Sequence, residues 1–291
     1  MAFAKADTTD PNTIPVCDIS ALRDGGDPLG VARKLHAAST GLGFIYIKGH
    51  GIPKHIIDGA RECAYGFFRH PSDQKAAVTI TNEHRGWIDA GGAKMGDDTK
   101  ADLKESFLWG FDNAHLDDHP LRGHNQWPIS QPELKKRTMD YFQHAQDVAH
   151  HLMRGFAIGL NLDANFFLKT SSAPLSRGSY VYYPNQPEEL GEDQFGVGPH
   201  TDFGVLTVLA QDEVGGLQVQ TKDGEWIEAP PIEGTLIVNV ADLLHRWTDG
   251  AFKSPPHRVI NRSGRERLSL VLAFDPNPET IIDVRDVFGE N

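Results

Sequence analysis

Between Gly178 and Phe274 the chain is a succession of short apolar runs cut by glycine-bearing turns, and no other feature narrows the fold as much. The runs are residues 180–183, 205–209, 217–220, 226–227, 235–240, 257–261 and 267–274, with Gly215-Gly216, Asp223-Gly224 and Ser263-Gly264 between them. Strands this short bury little surface alone, so they must stack as a sandwich or close as a barrel. A double-sheet jelly roll protects most strand edges and keeps an open mouth for a site. The first half reads differently. Residues 28–40 are expected to be a helix, opened by Asp27 as N-cap and stopped at Gly41. Pro53 opens another, with Ile56, Ile57, Ala60, Cys63, Ala64, Phe67 and Phe68 recurring on one face, and residues 134–160 carry the longest apolar stripe. Residues 44–47 read as a buried strand, and Ile14-Pro15-Val16 as an edge strand, where proline is tolerated. The expected class is mainly β with flanking α: a double-stranded β-helix (jelly-roll) core, one sheet buttressed by helices from the N-terminal half.

Composition narrows the partners. With 28 basic and 40 acidic residues the net charge is −12, which gives no general attraction to phosphate backbones or anionic membranes, so neither nucleic acid nor membrane is an expected partner. Cys17 and Cys63 cannot make a disulfide framework and read as packed, reduced thiols. No apolar h-region or membrane-length apolar run occurs, and the expected location is the cytoplasm. The Gly-rich run from Arg85 to Gly96 lacks the glycine spacing and the strand-then-helix context of a phosphate-binding loop. As a long loop carrying Trp87, Lys94 and Met95, it reads either as a plain connection or as a wall of a substrate pocket.

One motif in the strand region carries chemistry: Gly198-Pro199-His200-Thr201-Asp202-Phe203-Gly204. If residues 194–208 form one extended strand, His200 and Asp202 share a face and Thr201 turns away. Joined by a second imidazole, His257 of Ser254-Pro255-Pro256-His257, they make the 2-His-1-carboxylate set whose open positions suit non-haem Fe(II) oxygenases. Spacing alone is a weak signal, since 14 histidines and 40 acidic residues in 291 would give His-x-acid about twice by chance. The other copy, His115-Leu116-Asp117, sits in a polar, turn-rich run and reads as a solvated loop. Arg267 and Ser269 are also two apart on an apolar strand, and a guanidinium and a hydroxyl on one face suit a carboxylate.

At this point the segments GPHTDFGVLTVLAQD, GTLIVNVADLLHRWTDGAFKSPPHRVIN and RLSLVLAFDPN resemble those of the isopenicillin-N-synthase-like family of Fe(II)/2-oxoglutarate-dependent oxygenases. Tyr182-Tyr183-Pro184, LKESFLWG from Leu103 to Gly110, and the opening Ile14-Pro15-Val16-Cys17-Asp18-Ile19 extend the resemblance over nearly the whole chain. It implies one catalytic unit over residues 1–291, with an N-terminal helix and strand region at 14–125 and an Fe(II)/2-oxoglutarate-binding jelly-roll core at 175–276. It implies that His200, Asp202 and His257 hold Fe(II), with 2-oxoglutarate and O2 at the open positions. Arg267 and Ser269, joined by Tyr183, would hold the C5 carboxylate of 2-oxoglutarate. The implied reaction couples oxidative decarboxylation of 2-oxoglutarate to succinate and CO2 with oxidation, usually hydroxylation, of a C–H bond in a small-molecule substrate.

The sequence departs from the family's pattern in places. Val181 stands where many relatives carry the Asn of an Asn-Tyr-Tyr-Pro motif, and Ala241 and His245 replace the usual Gly and Gln or Glu. None of these is an expected ligand. Substrate-pocket candidates by analogy are Trp87, Lys94, Phe107, Trp109, Arg177, Phe195, Val197 and Phe274. The alternative is an oxidase of the isopenicillin-synthase or aminocyclopropanecarboxylate-oxidase kind, with the same triad but no 2-oxoglutarate. A further one is a non-catalytic metal-binding jelly roll, which the intact Arg267-Leu268-Ser269 argues against. The sequence carries no signal for oligomeric state.

Overall fold

A computed structural model describes residues 14–92, 102–112, 119–185 and 195–289. The lead up to Asn12, Lys94 and Met95 of the Gly-rich run, and the His115-Leu116-Asp117 copy lie outside the described residues. In chain order the described strands are β1 (Val16–Asp18), β2 (Phe44–Lys48), β3 (Gly86–Ile88), β4 (Glu105–Gly110), β5 (Arg177–Tyr183) and β6 (Val197–His200). They continue with β7 (Leu206–Gln211), β8 (Leu217–Gln220), β9 (Trp226–Glu228), β10 (Leu236–Val240), β11 (His257–Val259) and β12 (Arg267–Phe274). Eight of them form one sheet in the order β1-β2-β10-β7-β12-β5-β4-β3, and four form a second, β6-β11-β8-β9. The expected jelly roll is the architecture found.

Helices Pro28–Gly41, Lys54–Phe68 and Pro132–Gly159 cover the outer face of the large sheet. The first starts as anticipated: the Asp27 carboxylate accepts the Gly30 N–H at 3.0 Å, with Pro28 in the first turn. Because side chains alternate along a strand, the large sheet has two different faces. On β2, Ile45 and Ile47 join the helix-side core, whereas Phe44 and Tyr46 join the core between the sheets. On β12, Leu268, Leu270, Leu272 and Phe274 face the helices, leaving Arg267, Ser269 and Val271 for the space between the sheets. Each fully buried leucine contributes about 1.5–3 kcal/mol. One side of β12 thus anchors a strand whose other side carries buried polar groups.

The same alternation corrects the pocket assignments. Trp87, Phe107, Trp109 and Phe274 point to the helix side, where none is more than 4% exposed. Trp109 packs on Tyr180 with ring centroids 4.4 Å apart, Phe107 on Phe67 at 5.0 Å, and Phe274 edge-on to His150. The indole N–H of Trp87 donates to Glu105. These four are packing residues, not substrate contacts. Phe195 lies against the Arg258 guanidinium rather than on the cavity wall.

Residues 194–208 are not one strand. β6 ends at His200, residues 201–205 bend, and β7 begins at Leu206. The chain leaves the ladder because it is tethered elsewhere: Thr201 Oγ1 donates to Asp242 Oδ2 at 3.0 Å, and the Asp242 N–H donates to the Asp202 carbonyl at 2.8 Å. No described helix is long and apolar enough to cross a membrane, and both cysteines are free thiols.

Candidate active site

β6 and β11 bring two imidazoles side by side. His200 is the register partner of His257 across the antiparallel pair, and their ring centroids lie 4.3 Å apart. Asp202, just beyond the end of β6, completes the group with Oδ1 at 3.7 Å from each Nε2. One ligand-type atom from each residue lies within 4.8 Å of the other two, the one such cluster among the described residues.

Neighbouring groups fix the direction of each. His200 Nδ1 is 2.8 Å from the Gly198 carbonyl and His257 Nδ1 is 3.3 Å from the Pro255 carbonyl, which assigns the proton to Nδ1 and turns each Nε2 lone pair inward. Asp202 Oδ2 accepts from Thr207 Oγ1 at 2.5 Å and from Asn239 Nδ2 at 2.8 Å, so Oδ1 is left to face the histidines. Burial pushes the His200 pKa down to about 4, with the His257 imidazole and the Lys104 ammonium adding and Asp202 opposing. Burial alone would raise the Asp202 carboxyl, but the two histidines and the Thr207 and Asn239 donors hold it below its ordinary value. Near neutral pH the group is thus a neutral His200 beside an ionised carboxylate, ready to accept a cation. Asp242 binds the surrounding loops together, because its two oxygens accept from Thr201 and from Ser254, the latter three residues before His257.

The polar side of β12 supplies the other half. The wholly buried Arg267 donates from Nε to the Gly215 carbonyl at 2.6 Å and from Nη1 to Ser269 Oγ at 2.8 Å, and its guanidinium lies 4.7 Å from the Tyr183 ring centroid. Its Nη2 is buried with no hydrogen-bond partner among the described residues. An unfilled buried donor on a charged group costs about 1–3 kcal/mol or more, so the guanidinium is poised for an acceptor. The turn that offers the Gly215 carbonyl needs glycine: Gly216 has φ +86°, and a Cβ there would sit 2.3 Å from the Ile260 carbonyl oxygen.

Both halves line a cavity of about 190 Å³ between the sheets, with Tyr183, Val181, Val197 and Lys104 among its walls. Of the expected pocket residues, Val197 lines it directly. Arg177 lies on the same strand face as Ser179, Val181 and Tyr183, at the end of β5 away from Tyr183, with Nη2 3.9 Å from Asp275 Oδ2. Phe203, next to Asp202, is 70% exposed. Sequence reasoning missed Thr207, Asn239, Asp242 and Lys104. A signal existed for two: Thr207 and Asn239 are polar side chains inside otherwise apolar stretches of their strands, and a buried polar group needs a partner.

Comparison with known proteins gives this geometry its context. Residues 175–276 match the 2OG-Fe(II) oxygenase superfamily, and residues 14–130 match the family described as non-haem dioxygenase in morphine synthesis N-terminal. A probable iron/ascorbate oxidoreductase of Dictyostelium discoideum is 36% identical, over 85% of this chain and 76% of its own. The chain belongs to the 2OG-Fe(II) oxygenase superfamily. This oxygenase is also 32% identical to homoarginine-6-hydroxylase of Glycine max, over 96% of this chain and 90% of that one. Among solved structures it is similar to a full-length Neurospora crassa protein crystallised in complex with alpha-KG, with a TM-score of 0.84 and 30% identity over 96% of this chain and 90% of that chain. Alpha-KG is 2-oxoglutarate. The protein is an Fe(II)/2-oxoglutarate-dependent oxygenase that works with O2 on a small molecule, and the oxidase alternative is not favoured.

Proposed function

We propose that His200, Asp202 and His257 hold the ferrous ion, that Arg267 and Ser269, backed by Tyr183, hold the C5 carboxylate of 2-oxoglutarate, and that the oxygenase hydroxylates a C–H bond of its substrate. The observation that carries this reading is the pairing, within one cavity, of three convergent ligand atoms with an unfilled Arg267 Nη2. Two imidazoles and a carboxylate suit Fe(II), and a buried guanidinium with a free N–H suits a carboxylate. When bound, iron and 2-oxoglutarate supply the oxidative decarboxylation to succinate and CO2 that drives oxidation of the substrate.

The chain's own residues hold and orient. Thr207 and Asn239 keep Asp202 in one rotamer, and the carbonyls of Gly198 and Pro255 keep both imidazoles in the metal-binding tautomer. Val181, Val197 and Leu209 make the adjoining walls apolar, which limits water near the reacting C–H bond. We infer that Arg177 and the exposed ring of Phe203 meet the substrate at the mouth. We also propose that the two matched regions act as one catalytic unit. β2 and β4, from residues 14–125, flank β10 and β5 of the core in a single sheet. A fragment of residues 175–276 would bare both edges, and iron binding by such a fragment would refute this.

The test is to load the protein anaerobically with Fe(II) and 2-oxoglutarate, admit O2 with a panel of small molecules, and measure succinate. A substrate should raise succinate formation and gain one oxygen atom. If no compound stimulates and 2-oxoglutarate is never consumed, the reading fails; a product lacking two hydrogens would replace hydroxylation with desaturation.

A further inference from the structure

We propose that Lys104 is a second carboxylate contact for 2-oxoglutarate, on the opposite side of Tyr183 from Arg267; this rests on the cosubstrate reading above. Along β4, Glu105, Phe107 and Trp109 face the helices, so Lys104 and Ser106 take the other face. Glu105 is the register partner of Tyr182 and Arg267 is that of Tyr183. One step back along the chain, Lys104 therefore comes level with Tyr183. Two cations thus flank one tyrosine across three neighbouring strands, and both line the catalytic cavity.

The ammonium is held by one fixed carboxylate. The Lys104 side chain is 11% exposed, and Nζ lies 3.0 Å from Asp102 Oδ2. Yet that oxygen receives no hydrogen bond among the described residues, so the contact is one of charge and not a directed bond. Asp102 is itself pinned, its Oδ1 accepting the Gly198 N–H at 3.0 Å. The lysine is therefore steered by a fixed carboxylate toward the cavity that it lines, and an ammonium carries three N–H donors, so one such contact does not use up its capacity for an anion. The charge count agrees. With Fe(II) in place, Arg267 and Lys104 against Asp102 and Asp202 leave two positive charges, which the two carboxylates of 2-oxoglutarate cancel. Without Lys104 one carboxylate would be uncompensated.

The test is calorimetric titration of anaerobic Fe(II)-loaded protein with 2-oxoglutarate, with the Fe(II) Kd measured separately. Lys104→Met should raise the 2-oxoglutarate Kd by about ten- to a hundredfold and leave the Fe(II) Kd within about twofold. Lys104→Arg, which keeps the charge, should stay within about tenfold of wild type. If Lys104→Met leaves Asp102 uncompensated and does not fold, the Asp102→Asn/Lys104→Met double variant, which leaves the net charge of the site unchanged, tests the contact apart from the charge count, and its 2-oxoglutarate Kd should also rise. An unchanged 2-oxoglutarate Kd would overturn the proposal. So would an equal loss of Fe(II) affinity, which would mean that Lys104 acts only by bracing β6. Arg267→Ala is the reference: if it weakens 2-oxoglutarate and Lys104→Met does not, only the Lys104 contact is lost, whereas no effect from either would sink the Arg267 assignment as well.

Discussion

Replacing Thr207 by valine removes one oxygen atom from the molecule and should cost it most of its grip on iron. The hydroxyl donates to Asp202 Oδ2 at 2.5 Å, and among the described residues only Asn239 shares that task. A hydrogen bond to a charged acceptor contributes about 1.5–3 kcal/mol, and about 1.4 kcal/mol is a factor of ten in a dissociation constant. Valine keeps the branched shape of the 7% exposed side chain, so no cavity opens. The Fe(II) Kd should rise by about tenfold, with about a hundredfold as the ceiling if Asp202 turns away altogether. A second signature follows from the proton. Thr207 is one of the donors that hold the Asp202 carboxyl below its ordinary value, although burial works against it. Without the hydroxyl that pKa moves up, so the variant should lose iron at a higher pH than wild type as the solution is acidified. Anaerobic Fe(II) titrations from pH 5 to 8, with Co(II) absorption as a check on geometry, read both effects. A folded Thr207→Val protein with wild-type Fe(II) affinity and pH dependence would refute the claim that Oδ2 is held so that Oδ1 can bind.

Arg267→Ala should keep iron and weaken 2-oxoglutarate by about ten- to a hundredfold; Arg267→Lys should also weaken it, because a compact ammonium cannot reproduce the planar fork whose separate nitrogens reach Gly215 and Ser269 and leave Nη2 for a ligand. Unchanged cosubstrate affinity in calorimetry would discard the clamp. Burial pushes the Asp275 carboxyl up to about 6, against the pull of Arg177. With its folded pKa above the unfolded value, the native state holds the extra proton, and stability falls as pH rises from about 4 to 6. Asp275→Asn should flatten that slope and add about 1–3 kcal/mol at pH 8; denaturant melts with an unaltered slope would count against it. Gly178→Ala would place a Cβ 2.2 Å from the Trp109 ring, so a loss of about 1–3 kcal/mol or more is expected, and a wild-type Tm would contradict the packing.

How far the sequence can be read depends on which residues signal locally. The helix opened by Asp27 and Pro28 is legible because its cap and its period lie within a few residues. Strand β12 is legible to the residue for the same reason. The continuous strand expected through His200 and Asp202 is not found, because what bends it is Asp242, a carboxylate 40 positions further on. The aromatic pocket candidates fail differently. Phe107 and Trp109 rest on analogy alone, although period-two alternation puts them on the same side of β4 as buried Glu105, and Trp87, read also as part of a loop wall, lies in the short strand β3 paired with β4. Lys104 carries no local mark, since its partner, Asp102, braces a strand nearly a hundred residues away through Gly198.

Both imidazoles hang from the four-stranded leaf of the sandwich, and the guanidinium and its hydroxyl neighbour hang from the eight-stranded leaf. On the proposed placement, a diacid gripped at its two ends by opposite leaves would act as a suture between them. At a hundred times its Kd it would add about 2.7 kcal/mol against melting, and amide exchange in β6 and β11 should slow more than in the helices.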